Sequence, residues 1–182
     1  MKERIQLRGR RIELRPFRRA DERTYWAANQ HLDRRVMPRQ PPSRDEVRKV
    51  VSRSGRFYRG RLDLAIQARG RLIGDIQARK APAQGFPPGV FELGIVIWQP
   101  RHRRHGYGGE AVEVLARWLL EDQGAARVQL STAATNTGMR RAAERVGFRL
   151  EAELRRWLPS PDGGRDDWTL YAVTSADELV PV

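Results

Sequence analysis

Residues 98–111 read WQPRHRRHGYGGEA, and this stretch decides how the fold is interpreted. Three glycines, Gly106, Gly108 and Gly109, lie within four positions, between an apolar run and the start of a helical pattern. The first turn of a helix has backbone N–H groups without intrahelical partners, and glycines let that backbone approach a ligand closely. The arrangement predicts a site for an anion, best suited to a diphosphate. The alternative is a basic loop with flexible glycines.

The segments on either side of the glycines favour the anion site over the loop. Residues 90–98, VFELGIVIW, are apolar and β-branched, which is typical of a buried strand, and Pro100 ends it. Residues 109–124 place apolar side chains on one helical stripe and end at Gly124, a residue suited to a helix C-cap. A strand, a glycine-rich turn and a helix in this order can bind phosphate groups.

Two common phosphate-binding motifs do not fit this turn. No Lys-Ser or Lys-Thr pair follows the glycines, so the turn is not a P-loop. The spacing is G-x-G-G rather than G-x-G-x-x-G, and no acidic residue closes a βαβ unit about 20 residues further on. The dinucleotide-binding fingerprint is therefore excluded as well.

The rest of the chain predicts a mixed α/β domain. With 182 residues, 40% of them hydrophobic, the chain can bury one substantial core. Residues 81–89 are predicted to be a loop, and Ser43 with Glu46 forms a capping-box pattern. The remaining pattern predicts strands at 11–17, 127–132, 148–158 and 168–174, two strands within 62–78, and helices at 19–30, 41–53 and 136–148.

Composition narrows the classes of function. The chain has no cysteine, which excludes disulfides, thiolate metal sites and cysteine nucleophiles. No apolar run is long enough for a membrane span or a signal peptide, so we expect a cytoplasmic protein. The net charge of +13 favours an anionic ligand, but the arginines are scattered and do not favour a nucleic-acid partner. His31, His102 and His105 form no ligand set, so we expect no metal site.

The hexapeptide RRHGYG at 103–108 resembles the R/Q-x-x-G-x-G/A motif of the GNAT acetyltransferases. The resemblance spans about residues 10–176, predicted to be a single domain with terminal extensions at 1–9 and 177–182. It implies the GNAT fold, an α/β structure whose mixed, mostly antiparallel sheet has a splayed central strand pair and flanking helices. Four further segments resemble the RimJ/RimL-like subgroup, the ribosomal-protein-alanine acetyltransferases: LRPF (14–17), FELGIVIWQP (91–100), Asn136 with RVGF (145–148), and DDWTLYAVT (166–174).

The resemblance implies acetyl-CoA as the co-substrate. In the family, amides of the turn hold the diphosphate, and backbone groups of the preceding strand pair with the pantetheine arm. One strand amide would also polarise the thioester carbonyl. Asn136 would bond the pantetheine from the other side, although its position also suits a helix N-cap. The implied CoA-binding residues are Ile97, Trp98, Arg103, Arg104, His105, Gly106, Tyr107, Gly108, Gly109 and Asn136, with Val96 as a further candidate.

The implied reaction is direct attack of a primary amine on the thioester. Our candidate base is Glu92 on the apolar strand, and the alternative is that Glu92 is structural or binds only the substrate ammonium. The position of the subgroup's Ser is Met139, which cannot donate a proton to the departing thiolate. Tyr107, Tyr171 and His102 are candidate donors, but a thiol with a pKa of about 8.5 can also leave without one.

Three classes of function stay open on the sequence. The first is an acetyl-CoA-dependent N-acetyltransferase acting on a protein N-terminal α-amine or a small-molecule amine. The second is a CoA-binding relative that transfers another acyl group, such as succinyl, or acts as a non-catalytic sensor. The third, favoured only by net charge, is a basic nucleic-acid-binding domain. Relatives are often dimers, which makes a homodimer a further expectation.

Overall fold

The computed structural model describes residues 4–30, 40–80, 86–160, 162–175, 177 and 179–182. In these residues eight strands form one sheet in the order β1-β2-β3-β4-β5-β6-β8-β7, antiparallel except for the β5–β6 pair. This is the predicted α/β fold with a mixed, mostly antiparallel sheet. The strands are β1 (Leu7–Arg8), β2 (Ile12–Arg15), β3 (Arg61–Ala68), β4 (Arg71–Arg79), β5 (Val90–Ile97), β6 (Arg127–Ala133), β7 (Arg149–Pro159) and β8 (Arg165–Thr174).

Four helices of the described residues cover the sheet, and their ends follow local sequence signals. The predicted capping box of α2 is present: Ser43 Oγ accepts from the Glu46 amide at 3.2 Å, and Glu46 Oε2 accepts from the Ser43 amide at 2.7 Å. The helices are α1 (Glu22–Gln30), α2 (Arg44–Arg53), α3 (Tyr107–Glu121) and α4 (Thr137–Val146), with 3₁₀ turns at Arg19–Asp21 and Pro100–His102.

Most element boundaries differ from the predicted ranges by one to three residues, and the following three differences bear on the fold. Helix α3 begins at Tyr107, two residues before the predicted start, because Gly106 takes the N-cap with φ +79°. Strand β8 begins at Arg165 instead of 168 and extends the hairpin with β7. Strand β1, where Leu7 pairs with Leu14, was not predicted, since two residues among charged neighbours give no periodic signal.

The helices form two layers, one on each face of the sheet. Helices α3 and α4 pack on one face, and their side chains join the larger core, for example Leu115 and Val146, both fully buried. Helices α1 and α2 cover the other face with a smaller cluster that includes Tyr25, Val47 and Trp98. Because helices cover both faces, the inner strands β3 and β4 are buried along almost their whole length and do not alternate between buried and exposed residues.

The two central strands separate partway along their length. Strand β5 pairs with β6 only from Val90–Arg127 to Leu93–Leu130. Beyond these residues β5 continues beside β4 up to Ile97, while β6 continues beside β8 up to Ala133. The opening between them, here called the fork, has the N-terminus of α3 on the β5 side and that of α4 on the β6 side. This is the splayed strand pair that the resemblance predicts.

Candidate active site

The backbone of β5 presents alternate residues to the fork. The Trp98 amide donates to the Ile73 carbonyl at 3.1 Å, which places it on the β4 side of the strand. Antiparallel ladders alternate, so Val96 also pairs toward β4, whereas Ile95 and Ile97 direct their amides toward the fork. The predicted amide role therefore fits Ile97 but not Trp98 or Val96. Ile95, which the sequence analysis did not name, has the same amide direction as Ile97.

The turn after β5 is held by an arginine of the motif. Arg103 Nε donates to the Ile97 carbonyl at 3.0 Å and its Nη2 to the Trp98 carbonyl at 3.1 Å. These bonds occupy two carbonyl oxygens that would repel an anion. Arg104 and Gly106 both have left-handed backbone, with φ of +63° and +79°. A left-handed arginine is strained, and such strain is often concentrated at binding sites.

The N-terminus of α3 forms a row of unused donors. The first amide of this segment with an intrahelical acceptor is that of Glu110, which donates to the Gly106 carbonyl at 3.0 Å. Among the described residues, none accepts a hydrogen bond from the N–H groups of Arg104–Gly109. We call these six residues the cradle. Six adjacent N–H groups at the positive end of a helix dipole fit the charge and size of a diphosphate.

A buried carboxylate fixes the cradle to the edge of β2. Glu110, 1% exposed, accepts from the Arg11 amide at 2.6 Å and from Arg11 Nε at 2.8 Å. Arg11 Nη1 also donates to the His105 carbonyl at 3.1 Å, and its guanidinium lies 5.9 Å from the centre of the Tyr107 ring. Sequence reasoning missed this brace. A glutamate beside the apolar stripe of α3 was a signal, but nothing identified its partner 99 residues away.

The other two glycines bring α3 close to its neighbours. A Cβ on Gly109 would lie 3.7 Å from Ala142 Cβ of α4, and one on Gly108 would lie 3.8 Å from Ile97 Cγ1 of β5. Both are ordinary van der Waals distances, so alanine would fit at either position. Gly106 differs, since its left-handed backbone itself requires glycine.

Asn136 is the N-cap of α4 on the β6 side of the fork. Its Oδ1 accepts from the Met139 amide at 3.2 Å, and its Nδ2 donates to Thr132 Oγ1 at 3.0 Å. The capping role proposed from its position is confirmed. The second Nδ2 proton and the second Oδ1 lone pair stay available for a ligand.

Glu92 lies where β5 and β6 still pair, on the face that α1 and α2 cover. Its Oε1 accepts from Arg79 Nη2 at 2.8 Å, and its side chain is 16% exposed. Next to it, at the start of the fork, Gln77 lies across Gly94, where a Cβ would be 2.5 Å from Gln77 Nε2. Gln77 Oε1 is buried and has no hydrogen-bond partner among the described residues.

Met139 on α4 and Tyr171 on β8 both make contacts outside the fork. Met139 packs against the larger core. The Tyr171 hydroxyl donates to Glu144 Oε1 at 2.9 Å and accepts from Arg140 Nε at 3.1 Å. Burial, with Glu144 adding to it, raises the pKa of Tyr171 above its usual value. These bonds direct the hydroxyl to α4 and away from a thiolate in the fork.

Tyr107 and His102 are also poorly suited to protonate a thiolate. Tyr107 is 8% exposed, and its ring lies 5.7 Å from that of His105, within the first turn of α3. His102 lies in the 3₁₀ turn after β5, where burial and the charge of Arg101 lower its pKa. Its imidazole is therefore neutral at pH 7.

The described residues contain neither a metal-ligand group nor a helix that could cross a membrane. In the ranges given above, no group of three His, Asp or Glu side chains could hold a metal ion. None of the helices found there is both long and apolar enough to cross a membrane. Of the sequence predictions, His31 and residues 81–85 of the 81–89 loop lie outside the described residues.

The chain matches one sequence family, and its fold matches those of solved structures. The acetyltransferase (GNAT) domain family matches residues 11–149. A GNAT acetyltransferase from Bacillus anthracis has a TM-score of 0.77 at 20% identity, covering 94% of this chain and 99% of its own. No curated protein matches the sequence.

Two further solved structures share the fold. Mycobacterium smegmatis RimJ in complex with CoA-disulfide has a TM-score of 0.69 at 20% identity, with 90% of this chain and 82% of that one covered. A spermidine N-acetyltransferase chimera from Vibrio cholerae and hSSAT has a TM-score of 0.72 at 18% identity, with 91% and 96% covered. At these identities the likeness establishes the fold alone.

Proposed function

The chain belongs to the acetyltransferase (GNAT) domain family, and from that premise we propose that it transfers an acetyl group from acetyl-CoA to a primary amine. The acceptor is a protein N-terminal α-amine or a small-molecule amine. The observation that carries the proposal is the cradle: six consecutive N–H groups that have no acceptor in the described part of the chain, next to an open pair of parallel strands. Acetyl-CoA supplies the activated thioester, and the chain supplies the groups that bind it and the base that accepts a proton from the amine.

The cradle binds the diphosphate of the donor. Its N–H groups, from Arg104 to Gly109, are the donors, and the positive end of the α3 dipole favours the charge. Arg103 belongs to the site through its bonds to the carbonyls of Ile97 and Trp98, which it keeps away from the anion. The exposed guanidinium of Arg104 adds positive charge at the entrance, where the side chain of His105 is also exposed.

The fork holds the pantetheine arm in extended form. The amides of Ile95 and Ile97 bond it on the β5 side in the manner of an added strand. Asn136 bonds it on the β6 side with its remaining amide proton. One β5 amide also donates to the thioester carbonyl oxygen, where negative charge develops during attack.

Glu92 accepts a proton from the attacking amine, directly or through water. It lies on the face of the sheet that α1 and α2 cover, one residue before Leu93, the last residue of β5 that pairs with β6. An α-amine with a pKa of about 8 needs less help than a lysine amine at about 10.4, so the α-amine is the easier acceptor. The alternative is that Glu92 binds only the substrate ammonium through its charge.

The departing thiolate needs no enzymatic acid in this proposal. Met139 stands where the subgroup has Ser, Tyr171 is bonded to α4, and His102 is neutral in a surface turn. A thiol with a pKa of about 8.5 leaves as the thiolate near neutral pH and takes a proton from solvent.

The test is thiol release over a panel of acyl donors and amine acceptors. Acetyl-, propionyl- and succinyl-CoA are each combined with N-terminal peptides, polyamines, aminoglycosides and amino acids. We expect acetyl-CoA to react with at least one amine at a rate well above its hydrolysis. Turnover with succinyl-CoA alone would identify a different acyltransferase, and CoA binding without turnover would identify a sensor.

A further inference from the structure

The contact between Arg11 and Glu110 joins β2 to α3, and it also bears on the geometry of the cradle. Arg11 lies one residue before β2 and outside the 103–108 motif. Its guanidinium bonds the buried carboxylate of Glu110 and the carbonyl of His105 at the same time. We propose that Arg11 is a positioning residue for the cradle, which fixes the direction of the peptide between His105 and Gly106. This inference rests on the proposed function.

The geometry of a trans peptide connects the two sides of this bond. The C=O and N–H of one peptide unit point in opposite directions. Arg11 Nη1 holds the His105 carbonyl at 3.1 Å, on the side of the turn that faces β2. The Gly106 N–H, which belongs to the same peptide unit, therefore points to the other side, toward the diphosphate.

The peptide needs such a fixed partner because its own residues do not hold it. Gly106 has no side chain and φ of +79°, a conformation that glycine leaves readily. If the peptide turned over, the cradle would lose one donor and present the His105 carbonyl oxygen to an anion. Arg11 Nη2 lies 2.8 Å from the Cβ position of Gly106, so the guanidinium also limits the space for such a rotation.

Glu110 holds Arg11 in the orientation in which its guanidinium bonds the His105 carbonyl. Its two oxygens accept from the amide and the Nε of Arg11, so both ends of the arginine are held. The Arg11 side chain is 48% exposed, whereas that of Glu110 is 1% exposed. The buried partner thus gives the exposed one a single orientation. Lysine could keep the charge but could not bond Glu110 and His105 together, because it lacks the planar guanidinium group with its several N–H donors.

The first measurement is the affinity for CoA without turnover, by calorimetry. Arg11→Gln is compared with wild type and with Arg10→Gln, which removes the same charge from the exposed neighbouring residue. We expect Arg11→Gln to weaken CoA binding about tenfold or more, which corresponds to the loss of one oriented donor in a charged site. Arg10→Gln should stay within about twofold, the size of a surface charge effect.

The second measurement separates a positioning role from general damage. S-acetylpantetheine has the thioester but no diphosphate, so its reaction does not use the cradle. We expect Arg11→Gln to lower kcat/KM for acetyl-CoA but not for S-acetylpantetheine. An equal loss with both donors would overturn the inference, because a structural defect affects both.

A second variant covers the case in which Arg11→Gln leaves Glu110 unpaired and fails to fold. Arg11→Gln combined with Glu110→Gln removes both charges, so no buried carboxylate is left without a partner. We expect this double variant to fold and to bind CoA as weakly as Arg11→Gln does when folded. CoA affinity at the wild-type level in the folded double variant would overturn the inference. Failure of the wild type to bind CoA at all would instead overturn the proposed function.

Discussion

At the scale of single residues, the cradle depends on the left-handed backbone of Gly106 and on the ion pair between Arg11 and Glu110. Gly106 was predicted from the motif, and its φ of +79° gives the physical reason. Arg11 and Glu110 were not predicted, because each acts through the other, 99 residues away in sequence. Trp98 shows a further limit: strand alternation, which the sequence does not fix, turns its amide toward β4.

Glu92→Gln should lower kcat/KM for acetyl transfer about 100-fold or more, since a positioned base contributes at least that much. The affinity for acetyl-CoA should stay unchanged, because Glu92 is not among the cradle donors. The comparison is Glu121→Gln, which also breaks an ion pair with an arginine, at 3.1 Å and at the exposed C-terminal end of α3. Equal activity of both variants would favour the structural interpretation of Glu92.

Gln77→Leu should raise the free energy of unfolding by about 1 kcal/mol, because Gln77 Oε1 is buried without a hydrogen-bond partner among the described residues. Gln67→Leu is the matched control. Its side chain accepts from Arg15 Nε at 2.8 Å and donates to Glu13, so its loss should destabilise. The measurement is urea unfolding, and destabilisation by Gln77→Leu would contradict the prediction.

At the scale of elements, the fork explains why two helix N-termini matter. Because β5 and β6 are parallel, the helices that follow them both begin at the same end of the sheet. The sequence predicted α3 and α4 from their periodicity and β5 from its apolar run. It could not show where β5 and β6 stop pairing, because separation at Leu93 depends on the strands on either side.

Asn136→Ala should cost about 1 kcal/mol of stability through loss of the α4 cap and should also weaken acetyl-CoA binding. Ser43→Ala removes the corresponding cap of α2, which lies on the opposite face. It should cost a similar amount of stability and leave binding unchanged. Thermal unfolding and calorimetry together decide: unchanged acetyl-CoA binding in Asn136→Ala would leave the residue with the capping role only.

At the scale of the whole molecule, the order and type of most elements could be predicted from periodicity, glycines and the family resemblance. The segments at the termini could not. Leu7–Arg8 adds an edge strand, and Leu179, only 8% exposed, joins the core. Neither segment is long enough to show a pattern. The domain limits 10–176, the cytoplasmic location and the homodimer stay predictions.

The stability of the whole fold should fall in acid. Burial raises the pKa of Asp21, but the bonds from Arg15 and the Arg18 amide outweigh it, so the net pKa is lowered. A lowered pKa stabilises the fold above the unfolded value of about 4, and this contribution is lost as the pH falls through the folded value. Unfolding free energy should therefore decrease from pH 5 toward pH 2.

Asp21→Asn tests this origin of the acid sensitivity. It leaves the buried Arg15 guanidinium, 3% exposed, without its carboxylate, and should cost about 3 kcal/mol at pH 7 and much less at pH 2. Asp122→Asn, at the exposed C-cap of α3, serves as control. A cost for Asp21→Asn that is the same at both values would assign the acid sensitivity to other groups.

The measurement that tests the central claim most directly is calorimetric titration of acetyl-CoA into wild type, Gly106→Ala and Gly124→Ala. Both glycines have positive φ. A Cβ on Gly106, which belongs to the cradle, would lie 2.8 Å from Arg11 Nη2, whereas one on Gly124 would meet nothing within 4 Å. We predict one site in the wild type with a Kd of about 10 μM or tighter, at least tenfold weaker binding in Gly106→Ala, and wild-type affinity in Gly124→Ala. Absence of binding to the wild type, or full affinity in Gly106→Ala, would contradict the account.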